Sequence, residues 1–178
     1  MAEHSASITV RAPVYQVYEL YTHFNDYPKF MTFVKEVTYL DGERSHWVVD
    51  VAGHHEWDAV NEGWIPDRRI GWRSLDGLSN SGHVTFEPIG TGATRITVAV
   101  RYAPPGGALG ALGEILGAGG QLERRMQHDL QNFATMVDQA PPGALDPTSS
   151  TYLFHRDSAA ATGVTTRAQD ESMGVSPD

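Results

Sequence analysis

The chain contains no cysteine. Disulfides, zinc thiolate sites and thiol nucleophiles are therefore excluded, and the composition fits a reducing compartment. Positive charge is also scarce: 13 Lys and Arg stand against 22 Asp and Glu, a formal net charge of −9. A nucleic-acid binder needs a basic surface to displace counterions from phosphate, and an anionic membrane surface asks for the same, so both partners are set aside. No uninterrupted apolar run approaches the roughly 18 residues of a membrane span. The opening residues, Met1-Ala-Glu-His-Ser, lack the basic stretch and apolar core of a secretory signal. A cytoplasmic protein with no integral membrane segment is expected. What is present is ordinary for one globular domain: 178 residues, 40% hydrophobic and 20% charged, enough for a sizeable core.

Periodicity divides the chain into a strand, two helices, a run of strands and a long helix. Ser5 to Arg11 alternates, with Ile8 and Val10 opposite Thr9 and Arg11, the pattern of a half-buried strand. Ala12-Pro13 ends it, and Val14, Val17, Tyr18 and Tyr21 then recur at helical spacing. Asn25-Asp26 reads as the cap of a second short helix from Tyr27 to about Thr32, with Pro28 in its first turn. From Val34 the text is strand and turn. Asp41-Gly42 marks a hairpin, and a strand from Glu56 to Ile65 closes at Pro66-Asp67. Arg69 to Leu75 carries Ile70, Trp72 and Ser74 on one face, and His83–Pro88 and Ala93–Tyr102 form a last hairpin.

The long helix is predicted from Leu109 to about Asp138. Leu122, Met126, Leu130, Phe133 and Val137 form one apolar stripe along its second half. The first half carries glycines at 110, 113, 117, 119 and 120, each weakening a helix by about 1 kcal/mol relative to alanine. That half reads as a gate and the second half as an anchor. A helix with one apolar side must lie on an apolar surface, and the strands supply it as one sheet face. Beyond Ala140 about 38 residues of Ser, Thr, Ala, Asp and Gly begin, too poor in large apolar groups to offset their ordering entropy. Residues 141–178 are expected to be a disordered tail behind a ligand-binding domain of residues 1–140.

The residues offer little overt chemistry. His54-His55 is a tempting metal pair, but adjacent strand residues point to opposite faces, and no metal is expected. Asp58 and Glu62 fall on one strand face about 13 Å apart, too far to share a proton; a solvated face or a salt bridge to Arg69 or Arg73 is the plainer reading. No Gly-Xaa-Ser-Xaa-Gly elbow occurs, and the glycines of 106–120 make no phosphate-binding fingerprint. Trp47, Trp57, Trp64 and Trp72 cluster on three neighbouring strands, as a pocket lining or as plain packing.

In this order the elements resemble the START-like helix-grip superfamily (SRPBCC proteins), in its polyketide cyclase/dehydrase branch. The resemblance is carried by Ile8-Thr-Val-Arg-Ala-Pro13 with Val17-Tyr18, by Phe24-Asn-Asp-Tyr-Pro-Lys-Phe30, and by Glu56-Trp-Asp-Ala59. Pro66-Asp-Arg-Arg-Ile-Gly-Trp-Arg-Ser74, Asn80-Ser-Gly82, Val84-Thr-Phe86 and Asp129-Leu-Gln-Asn-Phe133 continue it. Tyr102-Ala-Pro-Pro resembles a bacterial subgroup whose members mostly lack an assigned reaction. The fold so implied is α+β: a curved antiparallel sheet of about seven strands, ordered β-α-α-β6-α, wrapped on a long C-terminal helix. The family implies a deep pocket between sheet and helix for an apolar ligand. Trp57, Trp64, Trp72, Ser74, Asn80, Phe86, Phe30 and Met126 are the candidate ligand-binding residues.

The resemblance also carries departures. Its cyclases place an arginine before the end of the fourth strand, where this chain has Trp64, and a tyrosine after the second helix, where it has Val34. No catalytic residue and no cofactor is therefore assigned. The leading expectation is binding or carriage of a hydrophobic or aromatic small molecule, lipid- or polyketide-like. A polyketide aromatase/cyclase or dehydrase is the second, and a partner-binding module using the cavity mouth or the tail is the third. A buried ionisable group beside an open pocket favours the enzyme, and a smooth apolar pocket favours the carrier.

Overall fold

The computed structural model describes residues 2–51, 53–103, 120–146 and 153. Strand β1 (Ala2–Val10) leads into helix α1 (Val14–Thr22) and a 3-10 helix (Phe24–Lys29). Six strands follow: β2 (Val34–Tyr39), β3 (Arg44–Asp50), β4 (His54–Asn61), β5 (Arg69–Ser74), β6 (Asn80–Ile89) and β7 (Ala93–Tyr102). Helix α2 (Gln121–Asp138) closes the order. The seven strands form one curled antiparallel sheet, β1-β7-β6-β5-β4-β3-β2. This is the helix-grip α+β architecture that the sequence led us to expect.

The sheet arises because neighbouring strands alternate in phase. Ile8 pairs with Ile96, Ile96 with Phe86, and Val98 with Val84, so each ladder delivers apolar side chains to one face. Helix α2 lies across that face near β1. Its stripe of Leu122, Met126, Leu130, Phe133 and Val137 is buried. His4 of β1 stacks on Tyr102 and meets Glu123 in the first turn of α2, fixing the start of the helix over the sheet edge.

Strands β1 and β6 each begin three residues before the expected start, at Ala2 and Asn80, and two further elements differ in kind or extent. The short helix after α1 is a 3-10 helix and begins at Phe24, three residues before the expected start. Phe24, Tyr27 and Phe30 recur every three residues and are all buried. A 3-10 helix, with three residues per turn, puts such a row on one face, as an α-helix does not. The fourth strand ends at Asn61 instead of Ile65. Gly63 and Asp67 take positive φ there, turning the chain before Ile65 bridges back to Arg69. Of the predicted long helix, residues 109–119, with four of the five glycines of the proposed gate, lie outside the described residues, as do residues 104–108. So does the tail, apart from residues 141–146 and Leu153. No helix among the described residues is long and apolar enough to cross a membrane.

Candidate ligand-binding cavity

The space under α2 is filled unevenly. Toward α1 it is solid: Phe133 packs edge-on to Tyr21 at 4.7 Å and to Phe30 at 5.0 Å, and Phe86 packs edge-on to Tyr18 and Tyr21. Toward β3, β4 and β5 a cavity of about 130 Å3 remains. Its walls are Trp47 and Val49 of β3, Trp57 of β4, Trp72 of β5, Val84 of β6, Val98 and Val100 of β7, and Leu122, Met126 and Leu130 of α2. Met31, Phe33 and Val34 close it beside the 3-10 helix. A cavity whose wall is so largely apolar suits small apolar molecules.

Pairing register decides which tryptophans reach the cavity. Trp57 stands opposite Trp47, and their rings lie parallel, 6.0 Å apart with planes 5° from each other. Trp72 stands opposite Gly82. A Cβ on Gly82 would come within 2.5 Å of the Trp72 ring, so glycine there lets the indole lie across β6. The Trp72 Nε1–H donates to Asn80 Oδ1 at 3.0 Å, and the Asn80 Nδ2–H donates to Leu78 O at 2.7 Å. Trp64 sits past the end of β4, edge-on to Phe24, and donates to Gly71 O.

Of the eight residues singled out from sequence, Trp57, Trp72, Asn80 and Met126 line the cavity. The other four lie elsewhere. Trp64 packs on Phe24. Ser74 Oγ accepts the Asn80 backbone N–H at 2.9 Å, supporting a lining residue from outside the cavity. Phe86 and Phe30 belong to the solid aromatic half of the core.

Among the lining residues that were not singled out, the one ionisable carboxyl is Asp129, on α2 and only 2% exposed. Thr32 holds one oxygen by its hydroxyl at 3.0 Å, while Oδ2 has no partner among the described residues. Burial pushes its carboxyl above the ordinary carboxylate range, with Thr32 opposing. Its charge in turn helps raise the buried Tyr21 hydroxyl. The signal was available: Asp129 lies three residues after Met126 and four before Phe133, on the apolar stripe itself. A carboxylate there is out of place unless it is needed.

The histidines do not gather around the cavity. His54 and His55 face opposite sides of β4, as strand geometry requires. On the outer face Asp50, His54, Glu56, His46 and Asp58 form an alternating ladder. Both nitrogens of His54 are taken up there by carboxylates, which raise its pKa. Asp58 thus pairs with His46 and not with an arginine. Among the described residues no group of three or more His, Asp or Glu is arranged to hold a metal ion.

Comparison with known proteins agrees with this geometry. Residues 10–131 match the family described as polyketide cyclase / dehydrase and lipid transport. A Streptomyces lincolnensis protein, described as an uncharacterized 17.2 kDa protein in the melC2-rnhH intergenic region, is 29% identical over 141 residues, 78% of this chain and 91% of that one. Among solved structures, the ZhuI aromatase/cyclase of Streptomyces sp. R1128 is 22% identical with a TM-score of 0.66, covering 78% of this chain and 94% of its own. A START superfamily protein from Mycobacterium smegmatis is 16% identical with a TM-score of 0.61, covering 78% and 99%. At these identities the two structures establish the shared fold.

Proposed function

The chain belongs to the polyketide cyclase/dehydrase and lipid transport family, and on that premise we propose that it binds or carries a ring-bearing apolar small molecule in the cavity beneath α2. The observation that carries this reading is the cavity wall. Three tryptophans and a shell of aliphatic side chains surround about 130 Å3 of space that the sequence leaves unfilled. A core selected only for stability would close such a void, because each lining atom forgoes dispersion contacts across it. Native mass spectrometry of freshly purified protein tests the reading through co-purified ligand. A neutral dye such as N-phenyl-1-naphthylamine should bind at micromolar strength and change tryptophan fluorescence. If neither a ligand nor the dye is found on the folded protein, the reading fails.

The second reading is a cyclase or dehydrase, and Asp129 is the observation that favours it. A carboxyl whose pKa burial raises is better suited to give a proton to a keto or hydroxyl oxygen than an exposed one. Among the described residues that line the cavity, Asp129 is joined by no second carboxyl. Among the described residues no Arg, Lys or His lines it, and Trp64, standing at the position of the cyclases' arginine, lies off the cavity. Carriage therefore ranks ahead of catalysis.

A further inference from the structure

The sheet has a second hollow, a groove of about 260 Å3 rimmed by Glu3, Glu62, Arg69, Ser81, His83 and Arg101. The neighbours Val84, Val100 and Tyr102 line the cavity under α2, so His83 and Arg101 project from the opposite face of the sheet. Register builds the groove. His83 stands opposite Gly71 on one side and Ala99 on the other, so small residues flank its ring. β5 and β7 run in the same direction, both antiparallel to β6. Arg69 lies two residues before Gly71 and Arg101 two residues beyond Ala99, which puts the arginines at diagonal corners about His83. Both guanidinium groups are held, but by different partners. Arg101 donates through Nε, at 2.6 Å, and through Nη2 to the one oxygen Glu3 Oε2. Arg69 Nη1 donates to the neutral Gly63 O at 2.9 Å, and its charge meets no carboxylate among the described residues. A Cβ on Gly63 would collide with that guanidinium, so the turn after β4 is shaped to seat it. No hydrogen bond among the described residues uses the Ser81 hydroxyl or the His83 ring.

We propose that this groove is a second binding site, which takes the phosphate group of a phosphomonoester or inorganic phosphate between Arg69 and Arg101, above His83. Two fixed guanidinium groups, an imidazole and a hydroxyl approach from different directions, a donor set for a tetrahedral oxyanion more than for a flat carboxylate. Glu3 is already taken up by Arg101, which leaves Glu62 as the rim carboxylate that opposes the anion. Arg73, exposed on the far side of Ser81, adds positive charge just outside the groove. The ligand is small, because a net charge of −9 repels a polyanion or an anionic bilayer. The field inside the groove agrees. Burial holds the His83 ring below its usual pKa, Arg69 and Arg101 act with it, and Glu3 opposes. A bound dianion reverses the sign of that field, so the ring takes up a proton as the anion binds, and binding tightens as pH falls.

The test uses the full chain with sulfate, inorganic phosphate and glycerol 3-phosphate as probes and acetate as the planar control. Sulfate keeps its charge from pH 5.5 to 8, so its binding reports the titration of the protein alone. The Cε1–H resonance of His83, assigned by its loss in His83→Gln, should move as sulfate is added at constant pH. In saturating sulfate its pKa should rise, and sulfate should bind about tenfold more tightly at pH 5.5 than at pH 8, the effect of a one-unit shift. Arg69→Gln and Arg101→Gln should each weaken phosphate about tenfold, the scale of one charged hydrogen bond. Arg95→Gln, an equal loss of charge six residues away along β7, should leave phosphate affinity within about twofold, since salt screens a charge at that range. Glycerol 3-phosphate binding more tightly than inorganic phosphate assigns the site to a phosphomonoester, and the reverse order assigns it to the free ion. Acetate binding as tightly as sulfate overturns the proposal. So does an equal loss of affinity in Arg95→Gln and Arg69→Gln, or a His83 resonance that ignores all three oxyanions.

Discussion

Thr32 donates its hydroxyl hydrogen to Asp129 Oδ1 at 3.0 Å, tying the loop before β2 to α2 beside the cavity. The contact satisfies only half of a buried carboxyl. Burial raises the folded-state pKa above the unfolded value. Between the two values the native state keeps a proton that the unfolded chain has released, so stability falls as pH rises through that window. The penalty is fully present above the raised pKa. Asp129→Asn removes it and keeps an acceptor for Thr32. At neutral pH the variant should be more stable by about 1 kcal/mol, a rise of a few degrees in Tm. Thermal melts from pH 4 to 8 check this, and a less stable variant at pH 7 would show that the carboxylate is ionised and well paired.

Phe133 anchors the solid half of the core. Its ring is 0% exposed and makes edge contacts with Tyr21 and Phe30. Phe133→Ala should cost about 3–5 kcal/mol, read as a lower urea midpoint at constant slope. A loss below about 1 kcal/mol would mean that the cavity next to it collapses into the vacated space.

The two halves of the core also differ in how far they could be read from sequence. The fold was legible because its signals are periodic: β7 alternates over its ten residues, and the stripe of Leu122 to Val137 keeps helical spacing. The 3-10 helix was misplaced because the proline and cap signals outweighed the three-residue spacing of Phe24, Tyr27 and Phe30. In the cavity, Trp57 and Trp72 were legible as aromatics on paired strands. Trp64 was not separable from them, since its departure depends on where β4 stops. Asp129 stood on the apolar stripe in plain view, but its pairing was hidden. Its neighbour in space, Thr32, is 97 residues away in the chain, and no local pattern reports such a pairing.

His23 is expected to make the fold acid-sensitive. The ring is 0% exposed, and burial lowers its pKa from 6.5 to about 4. The native state favours the neutral ring, so its contribution is complete above the unfolded pKa near 6.5 and is lost as pH falls toward 4. That drop corresponds to about 3 kcal/mol at most. Asp129, whose pKa burial raises, acts with the opposite sign, so the comparison must isolate His23. Urea unfolding at pH 7, 5.5 and 4.5 should show a decline in the native protein that is clearly smaller in His23→Gln. Parallel declines would place the acid sensitivity on other groups.

The end of the domain yields the last prediction. Composition sets the boundary near Ala140, yet the chain after it turns back onto the core. Ala144 is 1% exposed, and its N–H donates to Pro141 O at 3.0 Å. The Leu153 N–H donates to Ala144 O at 2.7 Å, and Leu145 and Leu153 pack against the core. Three short apolar contacts are invisible in a composition average dominated by Ser, Thr and Asp, but together they bury enough surface for roughly 2 kcal/mol. Two truncations separate the alternatives. Removing residues 154–178 should leave Tm unchanged within about a degree. Removing residues 141–178 should lower it by roughly 4–8 °C, since 1 kcal/mol moves a domain of this size by a few degrees. If both truncations melt with the full chain, the contacts of Ala144, Leu145 and Leu153 contribute nothing, and the domain ends at Ala140 as composition alone suggests. If the shorter deletion is itself costly, residues after 153 take part in the fold and the boundary lies further on still.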